Sequence, residues 1–248
     1  DLISGGRAGW NIVTGAVPSA AAQFGDESYS SPEERYARGE EYADVVTALW
    51  ASVEPGAYPR EKKTGLYADP AKVHCIDHQG KYFSVKGPLS VSPSPQGRPI
   101  LIQAGQSDQG RALSSRVADI VFTAQTSFEA ARAFYVDIKN RAAAFDRDPN
   151  MIKIMPGVVP IIGRTVEEAD EKEAALNALI DPIVGLSELQ AWLHGIDLSQ
   201  YPLDDPFPEL PTTATASRGA NYVEMARKEK LTLRQVMIRA CVSNAHWM

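Results

Sequence analysis

The residues best placed to do chemistry follow an apolar run. Ile100-Leu101-Ile102 leads directly into Gln103-Ala104-Gly105-Gln106-Ser107. A buried strand that ends in such a turn and hands over to a helix gathers several binding groups. Gly105 lets a ligand approach the backbone closely. The following helix N-terminus offers free N–H groups to an anion such as phosphate, and Ser107 adds a hydroxyl. The plainer alternative is an ordinary β-turn-α corner with a helix cap, and the local sequence alone favours it. Asn11 carries an amide that can both donate to and accept from a planar heterocycle; otherwise it satisfies a strand end. Tyr36 has a phenol able to hydrogen-bond a phosphate, although a place on an amphipathic helix is the reading the local sequence favours. His74-Cys75-Ile76-Asp77-His78 invites a metal reading. Two imidazoles spaced i, i+4 share a face only on a helix, and this segment reads as a strand entering a turn, so an exposed hairpin is favoured. His194 and His246 are isolated. GxSxG, GxxxxGK[ST] and GxGxxG patterns are absent from the sequence. Glu33-Glu34 and Glu167-Glu168 stand at helix starts, where they complement the helix dipole.

These side chains need elements to hold them. Residues 8–14 follow a Ser-Gly-Gly turn and read as a strand. A loop through Gly25 and Asp26 comes next. Ser31-Pro32-Glu33-Glu34 then starts a helix, with an N-cap Ser, Pro at the first position and Glu closing a capping box. It runs to about Trp50, with Gly39, Ala43, Val46 and Trp50 on one stripe. Residues 51–98 form an excursion: a loop to 71, then a hairpin of 73–76 and 81–85 around Asp77-His78-Gln79-Gly80. Strands follow at about 99–104 and 118–123, with a helix over 109–117 between them. Ser127 caps a helix carrying Ala131, Phe134, Ile138, Ala142 and Phe145 at helical spacing. Residues 151–162 read as one bent strand, and Thr165 caps a helix to about Ile180. Shorter helices are expected near 186–193, 219–229 and 232–242, the last capped by Thr232. The alternation predicts the α/β class, with a parallel sheet and right-handed crossovers. Four core strands are legible, whereas a (β/α)8 barrel needs eight. The choice is a small open sheet or part of a barrel.

Composition excludes several classes. The chain has 248 residues, 44% hydrophobic and 23% charged, with a formal net charge of -6. That is ordinary globular usage. The acidic balance argues against a bulk grip on nucleic acid or an anionic membrane, and no apolar run approaches the ~18 residues of a membrane span. Cys75 and Cys241 make no disulfide framework and read as reduced thiols in a cytoplasmic protein.

Taken together, the blocks resemble a known group. Ser4-Gly5-Gly6-Arg7-Ala8-Gly9-Trp10-Asn11-Ile12-Val13-Thr14 is similar to an SGGRxxWNxVT segment. Glu34-Arg35-Tyr36, Glu41-Tyr42, Leu49-Trp50, His78-Gln79-Gly80-Lys81-Tyr82-Phe83, Pro93-Ser94-Pro95-Gln96-Gly97-Arg98-Pro99 and Gln103-Ala104-Gly105-Gln106-Ser107 continue it in order. The group is the nitrilotriacetate, dibenzothiophene-sulfone and long-chain-alkane monooxygenases of the bacterial luciferase-like superfamily. The match is strong to about residue 165 and weaker but collinear beyond.

The resemblance implies one luciferase-like domain over 1–248, forming about strands 4 to 7 of a (β/α)8 TIM barrel. The excursion and extra C-terminal helices are part of it, a lid is expected over 181–217, and truncation is expected at both ends. It implies a two-component monooxygenase that takes reduced FMN from a separate NAD(P)H-dependent flavin reductase and activates O2 as a flavin C4a-hydroperoxide. The product is an oxygenated small organic molecule, and assembly as a homo-oligomer is expected by analogy. Carried over by motif, Asn11 and Thr14 face the flavin ring or ribityl chain. Tyr36 and Ser107 meet the phosphate, and Ala104, Gly105 and Gln106 make close backbone contacts. Relatives often carry His four residues before the Tyr; Pro32 stands there, so no contact is assigned to it. A deazaflavin-dependent hydride-transfer enzyme of the same barrel superfamily and a non-catalytic packing subunit are the competing readings.

Overall fold

The computed structural model describes residues 1–15, 22–23, 31–125, 127–193, 195–210 and 218–242. The loop expected through Gly25 and Asp26, His194, His246 and the Trp247-Met248 end lie outside the described residues, as does 211–217 of the expected lid. Backbone contacts divide the chain into two compact units. One is Asp1–Phe122 with Ile138–Ile154, the other Thr123–Asp137 with Met155–Met248.

The sheet is parallel and has four strands in the order β1-β4-β5-β6. These are β1 (Gly9–Asn11), β4 (Ile100–Gln103), β5 (Ile120–Thr123) and β6 (Lys153–Pro156). Each core strand predicted from sequence is present. The expected bent strand over 151–162 stops at Pro156, because Pro156 and Pro160 have no N–H to donate to a ladder. Helix α1 (Pro32–Ala51) connects β1 towards the excursion, and α2 (Asp108–Val117) connects β4 to β5. Helix α3 (Phe128–Ala144) connects β5 to β6. Ser31 caps α1 by accepting the Glu34 N–H at 3.2 Å, and Pro32 takes the first position, as the residue types require.

Register sorts the side chains between two faces. Trp10 lies beside Leu101 and Asn11 beside Ile102, while Gln103 lies beside Val121. Strand alternation therefore sends Trp10, Leu101, Gln103 and Val121 to one face and Asn11, Ile100, Ile102 and Ile120 to the other. The first face is covered by α1 and α2. Ile12, Ala43, Leu101 and Leu113 are buried there, with Trp10, Tyr36, Trp50 and Val117 packed around them. Trp10 meets Tyr42 and Trp50 edge-on, each at 5.7 Å between ring centres. Polar links also join the two helices: Arg116 pairs with Asp44 at 2.9 Å, and the Gln109 amide donates to Glu33. At the N-terminal edge of the sheet, Asp119 accepts both Arg98 guanidinium nitrogens, at 2.6 and 2.9 Å, and the Leu101 N–H.

The excursion contains the hairpin of β2 (His78–Gln79) and β3 (Ser84–Val85). Its turn spans Gly80 to Phe83, closed by the Gly80 N–H on the Phe83 carbonyl at 2.9 Å. The expected turn at 77–80 is thus displaced by three residues. The cause is tertiary: the Glu41 carboxylate on α1 accepts the N–H groups of Tyr82 and Phe83 and also meets His78 Nε2.

The second unit carries α4 (Val166–Asn177), α5 (Pro182–Trp192), α6 (Arg218–Glu229) and α7 (Leu233–Val242). Helix α5 begins four residues before its expected start, because Asp181 caps it and Pro182 takes the first position. That is the same signature that starts α1. Leu189, Leu193, Leu198, Tyr222, Leu233, Val236 and Met237 form its buried core. Gly185 permits the close crossing of α5 and α7, since a Cβ there would sit 3.0 Å from Met237.

Candidate functional site

Asn11 and Gln103 end neighbouring parallel strands, so both lie at the C-terminal edge of the sheet, where parallel α/β proteins bind ligands. The turn after β4 enters α2 there. Ser107 is the N-cap of α2, accepting the Gly110 N–H at 3.1 Å. That leaves the N–H groups of Asp108 and Gln109, which by helix geometry have no acceptor inside the helix. The partial positive charge of a helix N-terminus adds to their pull on an anion. Asp108 is the one acidic residue in this turn, and Arg141 offsets it with a 2.6 Å ion pair.

The two glycines make the geometry possible. A Cβ on Gly105 would fall 2.7 Å from the Gly110 Cα and 2.9 Å from the Tyr36 phenol oxygen. A Cβ on Gly110 would meet the Gly105 Cα and the same phenol at those same distances. So the turn, the first turn of α2 and the Tyr36 hydroxyl converge with no room for another side chain. Tyr36 comes from the start of α1, and the packing of α1 on α2 delivers it.

The structure therefore brings Tyr36, Gly105 and Ser107 together. Ala104 and Gln106 flank them, Ala104 exposed and Gln106 half-buried. Asn11 is exposed at the same sheet edge, on the face away from α1 and α2. Thr14 is half-buried against α1, one helical turn along from Tyr36, with its methyl 2.8 Å from where a Gly39 Cβ would lie. Gly39 lets the Thr14 methyl lie close against α1.

The structure gives two further residues a part in the site, Gln103 and Gly110, to which the sequence assigns no separate role. Gln103 is 3% exposed, its side-chain oxygen accepting the Gly105 N–H and facing the Ser114 hydroxyl at 2.8 Å. Gly110 completes the glycine contact. The available signal was strand alternation, which places a polar amide at the position of a core residue.

The histidines go elsewhere. His74 Nε2 meets Glu54 at 2.7 Å and His78 Nε2 meets Glu41 at 3.0 Å, so the pair serves two separate carboxylates. Burial pushes the Glu41 carboxyl up. The hydrogen bonds from His78 and from the Tyr82 and Phe83 N–H groups outweigh that and hold it below the ordinary glutamate range. A cleft of about 720 Å³ lies at the opposite edge of the sheet, lined by Trp50, Val53, Pro93, Pro95 and Arg98 among others. Its charged Arg98 is committed to Asp119, which leaves the glycine turn as the better-equipped site.

The luciferase-like monooxygenase family profile matches residues 1–237. N-acetyl-S-(2-succino)cysteine monooxygenase of Bacillus subtilis (strain 168) is 47% identical over 99% of this chain and 56% of its own length. Nitrilotriacetate monooxygenase component A of Aminobacter aminovorans is 42% identical over 99% of this chain and 55% of its own. Among solved structures, a riboflavin lyase with modified FMN and substrate riboflavin aligns with a TM-score of 0.79 at 33% identity. That alignment covers 98% of this chain and 53% of the other. The chain spans about half the length of the curated relatives it matches. Its parallel sheet and flanking helices are of the TIM-barrel type these proteins share. The chain belongs to the luciferase-like monooxygenase family.

Proposed function

We propose that the whole protein is a reduced-FMN-dependent monooxygenase that oxygenates a small organic substrate and receives its flavin from a separate NAD(P)H-dependent reductase. The convergence of the Tyr36 phenol, the Gly105 backbone and the Ser107-capped start of α2 carries the reading. The donor set suits a phosphate monoester: a phenol, a serine hydroxyl and helix N–H groups, with two glycines that let the turn, the start of α2 and the phenol close together. The name of the Aminobacter relative, a component A, supports a second component, and the flavins in the riboflavin lyase structure support the cofactor class.

Reduced FMN, when bound, supplies the electrons that activate O2. The chain's own residues bind and orient it. Tyr36 and Ser107 donate to the phosphate, and Ala104, Gly105 and Gln106 lie against it with their backbone. Asn11 offers its amide to the ring from the end of β1, and Thr14 its hydroxyl to the ribityl chain.

The test is an anaerobic titration of the whole protein with reduced FMN and reduced riboflavin, followed by oxygen-uptake assays. Nitrilotriacetate and N-acetyl-S-(2-succino)cysteine are the first substrates to try. FMN is expected to bind more tightly than riboflavin, and Tyr36→Phe to weaken FMN at least about tenfold, the lower end of what one hydrogen bond to a charged group contributes. Hydride transfer to a deazaflavin with no oxygen uptake on reduced FMN would overturn the reading.

A further inference from the structure

We propose that Gln103 is the positioning residue of the phosphate-binding turn; this rests on the flavin reading above and deepens it. Gln103 is the last residue of β4 and is 3% exposed. Burying a primary amide is unfavourable unless its polar atoms are bonded, so an apolar residue would be the default at this position. Two contacts account for the choice. The side-chain oxygen accepts the Gly105 N–H. It also faces the Ser114 hydroxyl at 2.8 Å, and that hydroxyl lies 2.7 Å from the Gly110 carbonyl. A backbone N–H faces only an acceptor, so the Gly105 bond fixes which way the amide points.

One side chain thus ties the end of β4, the turn and the second turn of α2. Its effect falls on Gly105. With that N–H held inward, Gly105 turns its Cα towards Gly110 and the Tyr36 phenol, close enough that a Cβ would fall 2.7 Å from the Gly110 Cα and 2.9 Å from the phenol oxygen. The start of α2 is thereby fixed relative to that phenol. A phosphate bridging phenol, Ser107 hydroxyl and helix N–H groups needs these donors at fixed spacing, because pre-organised donors lose no free energy to rearrangement on binding. Gln103 itself does not reach the ligand in this arrangement. It acts through Gly105.

The experiment uses the whole protein and two variants, Gln103→Met and Ser114→Ala, titrated anaerobically with reduced FMN and reduced riboflavin and read by tryptophan quenching. Met fills the same space without the amide acceptor. Gln103→Met is expected to weaken FMN about tenfold and to leave riboflavin within about twofold. Ser114→Ala, which removes the hydroxyl anchoring the amide, is expected to weaken FMN about threefold with the same selectivity. Equal loss of both flavins, or loss of neither, overturns the positioning role, since a merely structural residue would not distinguish a ligand with a phosphate from one without. If Gln103→Met fails to fold, Ser114→Ala decides by the same criterion. Wild-type protein that binds riboflavin as tightly as FMN would overturn the phosphate reading itself, and the role of Gln103 with it.

Discussion

Gly105 and Gly110 meet backbone to backbone where β4 hands over to α2, and the Tyr36 hydroxyl closes the third side. A methyl group at Gly110 would collide with the Gly105 Cα at 2.7 Å, and that atom cannot rotate away. Relief requires the turn or the helix to shift. Gly110→Ala is therefore expected to destabilise the protein by about 1–3 kcal/mol, the usual range for overpacking, despite the better helix propensity of Ala. Thermal melting checks this, and an unchanged or raised Tm would show that the contact is loose. Sequence showed one side of this site only. Gly105 and Ser107 announce themselves through strand-turn-helix order, but Gly110 sits inside a helix, where a glycine carries no message until its neighbour is known. Gln103 was legible as a polar residue in a strand and not as a buried one, because burial depends on α2 lying over it.

At the scale of elements, α1 holds the excursion through one carboxylate. Glu41 accepts His78 Nε2 at 3.0 Å and the N–H groups of Tyr82 and Phe83 at 3.0 and 2.8 Å. Gly80 leaves the room, since a side chain there would overlap the Glu41 carboxylate. Phe83 packs on Tyr42, with Arg38 above its ring. The hydrogen bonds hold the Glu41 carboxyl below its ordinary value against the opposing effect of burial. A carboxyl depressed in the folded state contributes stability above its unfolded value, and that stability is lost as pH falls through the folded value. The hairpin should therefore be firmly held at neutral pH and loosen in acid below the ordinary glutamate range. Hydrogen exchange at the Tyr82 and Phe83 amides, corrected for the intrinsic rate, measures it. Glu41→Gln should lower their protection at pH 7 and remove its acid dependence; protection that stays high in the variant would show that the turn holds itself. The sequence indicated a hairpin here but placed its turn three residues early, because a carboxylate on another element selects which N–H groups form the turn.

At the scale of the whole molecule, the sheet is covered on one face by α1 and α2 and carries Ile100, Ile102 and Ile120 on the other. Of these Ile100 is exposed and Ile102 and Ile120 are half-buried, while Val13, Met155, Ile162, Val166, Leu179, Ile183 and Val184 are exposed elsewhere. Apolar surface of this extent favours association in water, and short strands at a sheet edge offer unpaired backbone. The 248-residue chain expressed by itself is expected to self-associate at micromolar concentration. Sedimentation velocity checks this, and a monomer with a single sharp unfolding transition would overturn it. Among the described residues, no helix is long and apolar enough to cross a membrane.

The sequence by itself determined the local structure and the family. The strand-helix alternation, the caps at Ser31, Ser127, Thr165 and Thr232, and the ordered motif blocks were all readable, because each rests on residues a few positions apart. Capping and alternation are short-range physics, and the chain carries them wherever it folds. Only the tertiary structure decided which of those pieces meet. The parallel register set Asn11 at the same edge as the glycine turn, and the packing of α1 on α2 brought the Tyr36 phenol onto Gly105 and Gly110. The burial of Gln103 and the capture of the hairpin by Glu41 follow from the same assembly. Such meetings join residues far apart in the chain, and their geometry is set by helix packing and crossovers rather than by any local pattern.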